Sequence, residues 1–340
     1  MKSGRTTKLS SFIKWAGGKE QELKHIVPLI PPFSRYFEPF VGGGAVYLSI
    51  QADQKFINDR SPELYRLYIA VAHQDEAFFA TLESLLASWQ QITCLVESNA
   101  PALIACYKTY TSDGVSQRDM DDILRAFLRC YSSTFAEMFE RLFARESERF
   151  LRELERNLLS KTRRMKALER KKWTLPNEDI LANLECALKS AFYMHLRHLY
   201  NLTRDEFSQP PSVTCHAERT GFGCDCSSPV PEGVAAAIFY FVRENAYASM
   251  FRYNRRGEFN VPYGGISYNR KDLARKIAYM RSEALRQHLR ETVIEQMDFE
   301  AFLEKYAPQE DDFLFVDPPY DSEFSTYARN AFDMRDQERL

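Results

Sequence analysis

The sequence predicts an α/β fold in which a parallel sheet, built from both ends of the chain, is interrupted by a long helical insertion. Three observations carry this. Short apolar runs rich in aromatic and branched residues occur at Tyr36–Phe40, Lys55–Asp59 and Phe313–Val316, near opposite ends of the 340 residues. Their chemically interesting residues sit at the carboxyl ends, where ligands gather in open α/β sheets. Between them, residues 62–206 hold almost no strand signal.

The first run, Tyr36-Phe37-Glu38-Pro39-Phe40, leads into Val41-Gly42-Gly43-Gly44 and reads as a strand followed by a tight turn into a helix. The second, Lys55-Phe56-Ile57-Asn58-Asp59, ends on an acid. After it, Ser61-Pro62-Glu63 combines an N-cap residue with proline at the first helical position, which predicts a helix start. The Leu-, Ala-, Glu- and Arg-rich stretch that follows is broken only at Asn99-Ala100-Pro101, Ser112-Asp113-Gly114 and Leu175-Pro176-Asn177. Residues 208–233, rich in proline and glycine, predict a loop or linker. A further helix is expected over 234–250, then a polar turn at Tyr253-Asn254-Arg255-Arg256-Gly257. Thr292-Val293-Ile294-Glu295 reads as another strand, and Phe313-Leu314-Phe315-Val316 closes on Asp317.

Composition bounds the function. An apolar share of 45% is that of a globular protein, and no run of about 18 uncharged apolar residues exists, so a membrane span is not expected. The amino terminus has no apolar segment of a secretory signal, and seven scattered cysteines suit a reducing compartment, so a cytoplasmic location is expected. Forty-five basic and forty-seven acidic residues give a net charge of −2. That total hides local bias: residues 252–290 carry ten basic and three acidic side chains, and 291–312 carry eight acidic and one basic. A nucleic-acid partner is therefore compatible with near neutrality.

Several motifs carry chemistry. Gly42, Gly43 and Gly44 allow close backbone approach to a ligand, and Asp59 is placed to accept hydrogen bonds from ribose hydroxyls. Tyr47 stands where a dinucleotide fingerprint would want its third glycine. Lys14-Trp15-Ala16-Gly17-Gly18-Lys19 is not a phosphate loop, because Ile13 replaces the first glycine and Glu20 follows the lysine. Asp317-Pro318-Pro319-Tyr320 is the sharpest signal. Its carboxylate and the Pro318 carbonyl form a pair of acceptors, and Tyr320 offers a ring face, an arrangement suited to a planar exocyclic amine. Cys215-His216, Cys224 and Cys226 lack a paired Cys-x-x-Cys, and His195 and His198 read as ordinary helix residues, so no metal is expected.

Phe12–Lys19, Phe37–Gly44, Ile57-Asn58-Asp59 and Asp317-Pro318-Pro319-Tyr320, in this order, resemble the Dam-type DNA adenine methyltransferases. Phe251–Gly265 looks like that family's target-recognition hairpin. The resemblance implies a Rossmann-like, S-adenosylmethionine-dependent methyltransferase sheet and transfer of a methyl group to N6 of a flipped adenine in double-stranded DNA. It implies cofactor contacts from Trp15, Lys19, Glu38, Phe40, Gly42, Gly44, Asp59, Asp298, Phe299 and Asp317. Asp317, Pro318, Pro319 and Tyr320 would grip the adenine, and Lys14, Tyr247, Arg252, Asn254 and Pro262 would touch DNA. A cognate restriction endonuclease is a compatible partner.

The implied division is 1–70 with 291–340 as the catalytic domain, 71–235 as helical insertion and linker, and 236–290 as the target-recognition region. The family's usual Tyr-Asn-Gly reads Tyr247-Ala248-Ser249 here, and Gly265 stands where some members carry a base-reading arginine, so a GATC target is not implied. Family members continue with further strands after the motif at Asp317, which predicts a catalytic domain lacking its C-terminal strands. A catalytically impaired fragment that still binds DNA or cofactor is the alternative reading.

Overall fold

A computed structural model describes residues 9–112, 114–143, 147–171, 173–208, 230–319, 332 and 334–340. Four strands form one parallel sheet: β1 (Arg35–Glu38), β2 (Gln54–Asn58), β3 (Thr292–Glu295) and β4 (Phe313–Leu314), in the order β3-β2-β1-β4. The register sets Phe37 beside Phe56 and Leu314, and Ile57 beside Ile294. Phe37 and Phe56 stack at 4.7 Å across the ladder. Strands β1 and β4 are shorter than the sequence runs suggest, because Pro39 ends β1 and the chain leaves the ladder before Val316.

The helices are α1 (Leu23–Ile26), α2 (Ala45–Ser49), α3 (Pro62–Ala72), α4 (Glu76–Ser98), α5 (Ala100–Thr111), α6 (Gln117–Cys130), α7 (Ser132–Phe143), α8 (Ser147–Glu169), α9 (Asn177–Ser208), α10 (Glu232–Asn245), α11 (Leu273–Met280), α12 (Glu283–Arg290), α13 (Phe299–Tyr306) and α14 (Met334–Arg339). Ser61 caps α3 as expected, accepting from Leu64 N at 3.3 Å. Asn99, Ser112 and Pro176 each fall at a helix boundary. The helix expected over 234–250 stops earlier, at Asn245. Ala246 turns extended (φ −66°, ψ 140°) and bridges Tyr263, and the chain then makes a 3-10 turn over Tyr247–Ser249. Helix α10 packs against α3, α4 and α9, so the insertion and the residues after it share one core.

No helix among the described residues is long and apolar enough to cross a membrane. Cys94, Cys106, Cys130 and Cys186 are free thiols, and Cys215, His216, Cys224 and Cys226 lie outside the described residues. His195 is buried on α9 against the Phe150 ring, and burial lowers its pKa to about 3.

One side chain fastens the carboxyl ends of three strands. Asn58, 1% exposed, donates from Nδ2 to Pro39 O (3.0 Å) and Met297 O (3.1 Å), and its Oδ1 accepts from Met297 N (2.9 Å). Asn58→Ala leaves the Pro39 carbonyl buried, and the part-buried Met297 groups, without this partner and is expected to lower the unfolding free energy by about 1–3 kcal/mol in urea titration. A loss within experimental error would show that the loops hold themselves.

Candidate functional site

The site lies where the loops after β1, β2 and β4 converge. After β1, Val41 N donates to Asn58 O (2.9 Å) and Gly44 N to Val41 O (2.7 Å), folding the loop back over β2. Gly42 has φ 49°, and a Cβ there would sit 2.9 Å from Trp15 Cδ1. Gly44 has φ 69°, and its added Cβ would collide with the Tyr68 hydroxyl, which already donates to Gly42 O at 3.1 Å. Helix α2, which follows, has only five residues, so close backbone approach rather than a helix dipole is what this loop offers.

Asp59 leaves β2 pointing at the same loop. Its Oδ2 accepts from Gly42 N (3.0 Å) and its Oδ1 from Ser61 N (2.8 Å). Burial raises its pKa to about 6, against those two hydrogen bonds. Each oxygen keeps a lone pair for a further donor. Glu38 is 3% exposed and turned inward: Tyr36 OH donates to Oε2 at 2.6 Å and Tyr47 N at 3.1 Å. Burial, with smaller contributions from the Asp317 and Asp59 charges, pushes it up to about 8.

Lys19 closes the ring of segments. Its Nζ forms an ion pair with Asp317 Oδ2 and donates to Gly17 O (2.8 Å). The amino-terminal Trp-Ala-Gly-Gly-Lys segment thus meets the carboxylate that follows β4. Pro318 is half-buried and Pro319 exposed, and Tyr320 lies outside the described residues. Phe40 packs against Phe299 at 5.3 Å, and Phe332 touches both rings. Asp298 caps α13, accepting from Glu300 N, and pairs with Arg339 of α14 at 2.5 Å.

A second face adjoins the first. Tyr253 bridges Phe259, Asn254 N donates to Glu258 O (2.9 Å) and Asn260 N to Arg252 O (3.0 Å), forming the hairpin the sequence suggested. Tyr247, 51% exposed, donates its N–H to Pro262 O (2.9 Å), and Lys14, Pro262 and Arg252 are also exposed. Arg252 Nε donates to Asn260 Oδ1 at 2.9 Å. The Asn254 side chain is engaged in the turn itself: Oδ1 accepts from Arg256 N and Glu258 N, and Nδ2 donates to Glu258 Oε2.

The family model described as D12 class N6 adenine-specific DNA methyltransferase matches residues 15–177 and 177–340. The chain belongs to this family. Its relatives include the type II methyltransferase M.MjaIII of Methanocaldococcus jannaschii, 24% identical over 97% of this chain and 77% of the relative. The type II methyltransferase M.CviBI of Paramecium bursaria Chlorella virus NC1A is 35% identical over 31% of this chain, and the retron Ec67 DNA adenine methylase of Escherichia coli 29% over 34%. The matched segments span only 38% and 37% of those last two relatives. Membership in the D12 class implies a methyl donor and agrees with the mixed α/β fold and its parallel sheet.

Sequence reasoning missed what holds the hairpin of this D12-class chain. Four polar residues at intervals of four along α9 reach it or the loop that follows it. Lys189 Nζ donates to Asn269 O (2.8 Å), Tyr193 OH and Arg197 Nη1 to Val261 O (2.9 and 3.0 Å), and Asn201 exchanges hydrogen bonds with Phe259 N (2.8 Å) and O (3.2 Å). The signal was present, because residues at every fourth position of a helix lie on one face.

A carboxyl with its folded pKa above its unfolded value binds more protons folded than unfolded, so stability falls as pH rises between the two. For Glu38 that interval runs from about 4.5 to about 8. Glu38→Gln, which keeps an acceptor for Tyr47 N, is expected to remove that fall. In urea unfolding at pH 6 and pH 8.5, the wild type should lose more stability between the two than the variant. Parallel pH profiles would show that Glu38 is ionised without penalty.

Proposed function

We propose that the chain is a site-specific DNA adenine methyltransferase that uses S-adenosyl-L-methionine to modify N6 of an adenine flipped out of double-stranded DNA. The observation that carries the reading is the Lys19–Asp317 ion pair, which joins the Asp-Pro-Pro segment to the amino-terminal segment whose Trp15 packs on the glycine loop. The residues fit the cofactor: Gly42 and Gly44 let the loop turn tightly beneath Trp15 and Tyr68 next to Asp59, and the remaining lone pairs of Asp59 suit ribose hydroxyls. Trp15 and Phe40 offer apolar surface beside them. Asp298 and Phe299 would meet the cofactor adenine, on the side where Arg339 already engages Asp298. When bound, the cofactor supplies a methyl group on a sulfonium, an electrophile that needs no metal.

The chain's own residues orient the acceptor. The Asp317 carboxylate and the Pro318 carbonyl accept the two amine hydrogens, which leaves the nitrogen lone pair free to point at the methyl group. Lys19 holds Asp317 in place, and Tyr320 stacks on the base. Lys14, Tyr247, Arg252 and Pro262 form the DNA-facing surface, and Asn254 contributes by shaping the hairpin turn. The catalytic unit is 1–70 with 291–340, carrying the recognition region 236–290 on the insertion 71–235. A restriction endonuclease of the same specificity is the partner such an enzyme would protect against. The reducing interior where DNA resides suits the free thiols.

Transfer of tritiated methyl groups from S-adenosylmethionine to duplex oligonucleotides tests this. The wild type should label adenine in a subset of sequences, and Asp317→Ala should lower the single-turnover rate by ~10²-fold or more while leaving the circular dichroism spectrum unchanged. Label in cytosine, in RNA alone or in protein would refute the reading. Arg252 separates base readout from phosphate contact. If it reads a base, Arg252→Ala relaxes discrimination at one position by ~1–3 kcal/mol, whereas equal weakening on every duplex would assign it to the backbone.

A further inference from the structure

Arg243, near the end of α10, is 1% exposed and among the largest fully buried side chains described. A guanidinium in the interior is costly unless its donors are engaged. Among the described residues no carboxylate pairs with it; backbone carbonyls engage its two Nη groups, while Nε is buried without a partner. Its Nη1 donates to Met250 O (2.7 Å), and Nη2 donates to Ser249 O (3.1 Å) and Lys14 O (3.2 Å). The guanidinium lies 3.3 Å from the Phe251 ring centroid and 5.6 Å from that of Trp15. Burial lowers its pKa only to about 10, so it stays charged at neutral pH.

The carbonyls belong to two segments far apart in sequence, and one of them is strained. Ala248 and Ser249 have φ of 50° and 53°, the left-handed region that Gly and Asn tolerate better than other residues. The Tyr268 hydroxyl accepts from Ala248 N (3.0 Å) on one side, and Arg243 grips the next two carbonyls on the other. Trp15 packs edge-on against Phe251 at 4.3 Å and closes against Gly42. A single buried side chain therefore joins the exposed turn at Tyr247, the Lys14–Trp15 segment and, through Trp15, the glycine loop.

We infer that Arg243 is a positioning residue that holds the Tyr247–Ser249 turn in its left-handed conformation and ties it to the Lys14–Trp15 segment, so that the DNA-facing surface and the cofactor loop move as one body. This rests on the proposed function for what the two surfaces bind. It also explains how the chain manages without Asn-Gly at 248–249: interactions from outside the turn supply what the local sequence does not.

The test is a rescue experiment with unmethylated plasmid DNA and tritiated S-adenosylmethionine. Arg243→Met removes the donors and keeps an apolar stem. It should raise the KM for DNA on the order of tenfold while changing kcat by less than about threefold. Adding Ala248→Asn and Ser249→Gly, which favour the left-handed conformation by themselves, should recover most of that KM and leave the wild-type KM nearly unchanged. No recovery, or the same gain in the wild type, would overturn the inference. If Arg243→Met does not fold, Arg243→Lys carries the comparison, since it keeps the charge and loses the fork. Hydrogen exchange in the same proteins is read without reference to activity. Faster exchange in both 14–19 and 247–251 is expected, and a change confined to one segment would break the proposed tie. A wild-type chain that transfers no methyl group would count against the proposed function alone, and the exchange result would then decide the role of Arg243.

Discussion

The pairing of β1 with β4 is the constraint on which the site depends. Arg35 and Asp312, at the start of these neighbouring strands, are 277 residues apart in sequence. Closing so long a loop is entropically unfavourable, and a two-residue β4 offers little ladder to offset it. Side chains make up the difference. Arg35 grips Asp312 through Nε (3.0 Å) and Nη2 (2.5 Å), its own N–H donates to the same carboxylate, and Ser34 N donates to Asp311 O (2.8 Å). Phe315 N then donates to Phe37 O (2.9 Å), and the chain exits β4 with Asp317 aimed at Lys19. Without that registration the carboxylate and the glycine loop would share no site.

The same economy of long-range polar contacts governs the hairpin. The hairpin has only isolated bridges of its own, too few to be stable alone. Helix α9 supplies a rigid rail, four polar residues at a spacing of four, and each reaches backbone in the hairpin or the loop after it. Helix α9 is therefore structural support for the hairpin, and its packing on α10, which in turn packs on α3, carries that support toward the sheet. Lys189 shows the cost: it is buried, and its pKa is lowered by desolvation against a 2.7 Å contact with Glu185.

Much of this could be read from the sequence, for identifiable reasons. Short apolar strands ending in Gly or Asp, the Ser61-Pro62 helix start and the breaks at Asn99, Ser112 and Pro176 are local signals, and the structure follows them. The turn at Tyr253–Gly257 is likewise visible in its polar residues, whereas the hairpin around it follows from the family resemblance. What was not legible is what depends on distant partners. Nothing near Glu38 announces that it turns into the core beneath Tyr36 and Tyr47, and nothing near Asn58 shows that it clamps Pro39 and Met297. The early end of α10 was missed because Ala246 and Tyr247 favour continuation locally, and their pairing with Tyr263 and Pro262 overrides it. Nor does the sequence around Asn254 show that its amide is engaged in the turn.

The central claim is that these long-range contacts assemble one adenine-modifying site. The most direct measurement is single-molecule sequencing of DNA from a host free of adenine methylation, grown with this chain or with Asp317→Ala. N6-methyladenine is expected at one recurring sequence with the wild type and none with the variant. Unmodified adenine in both, from cells that accumulate the folded protein, would contradict it.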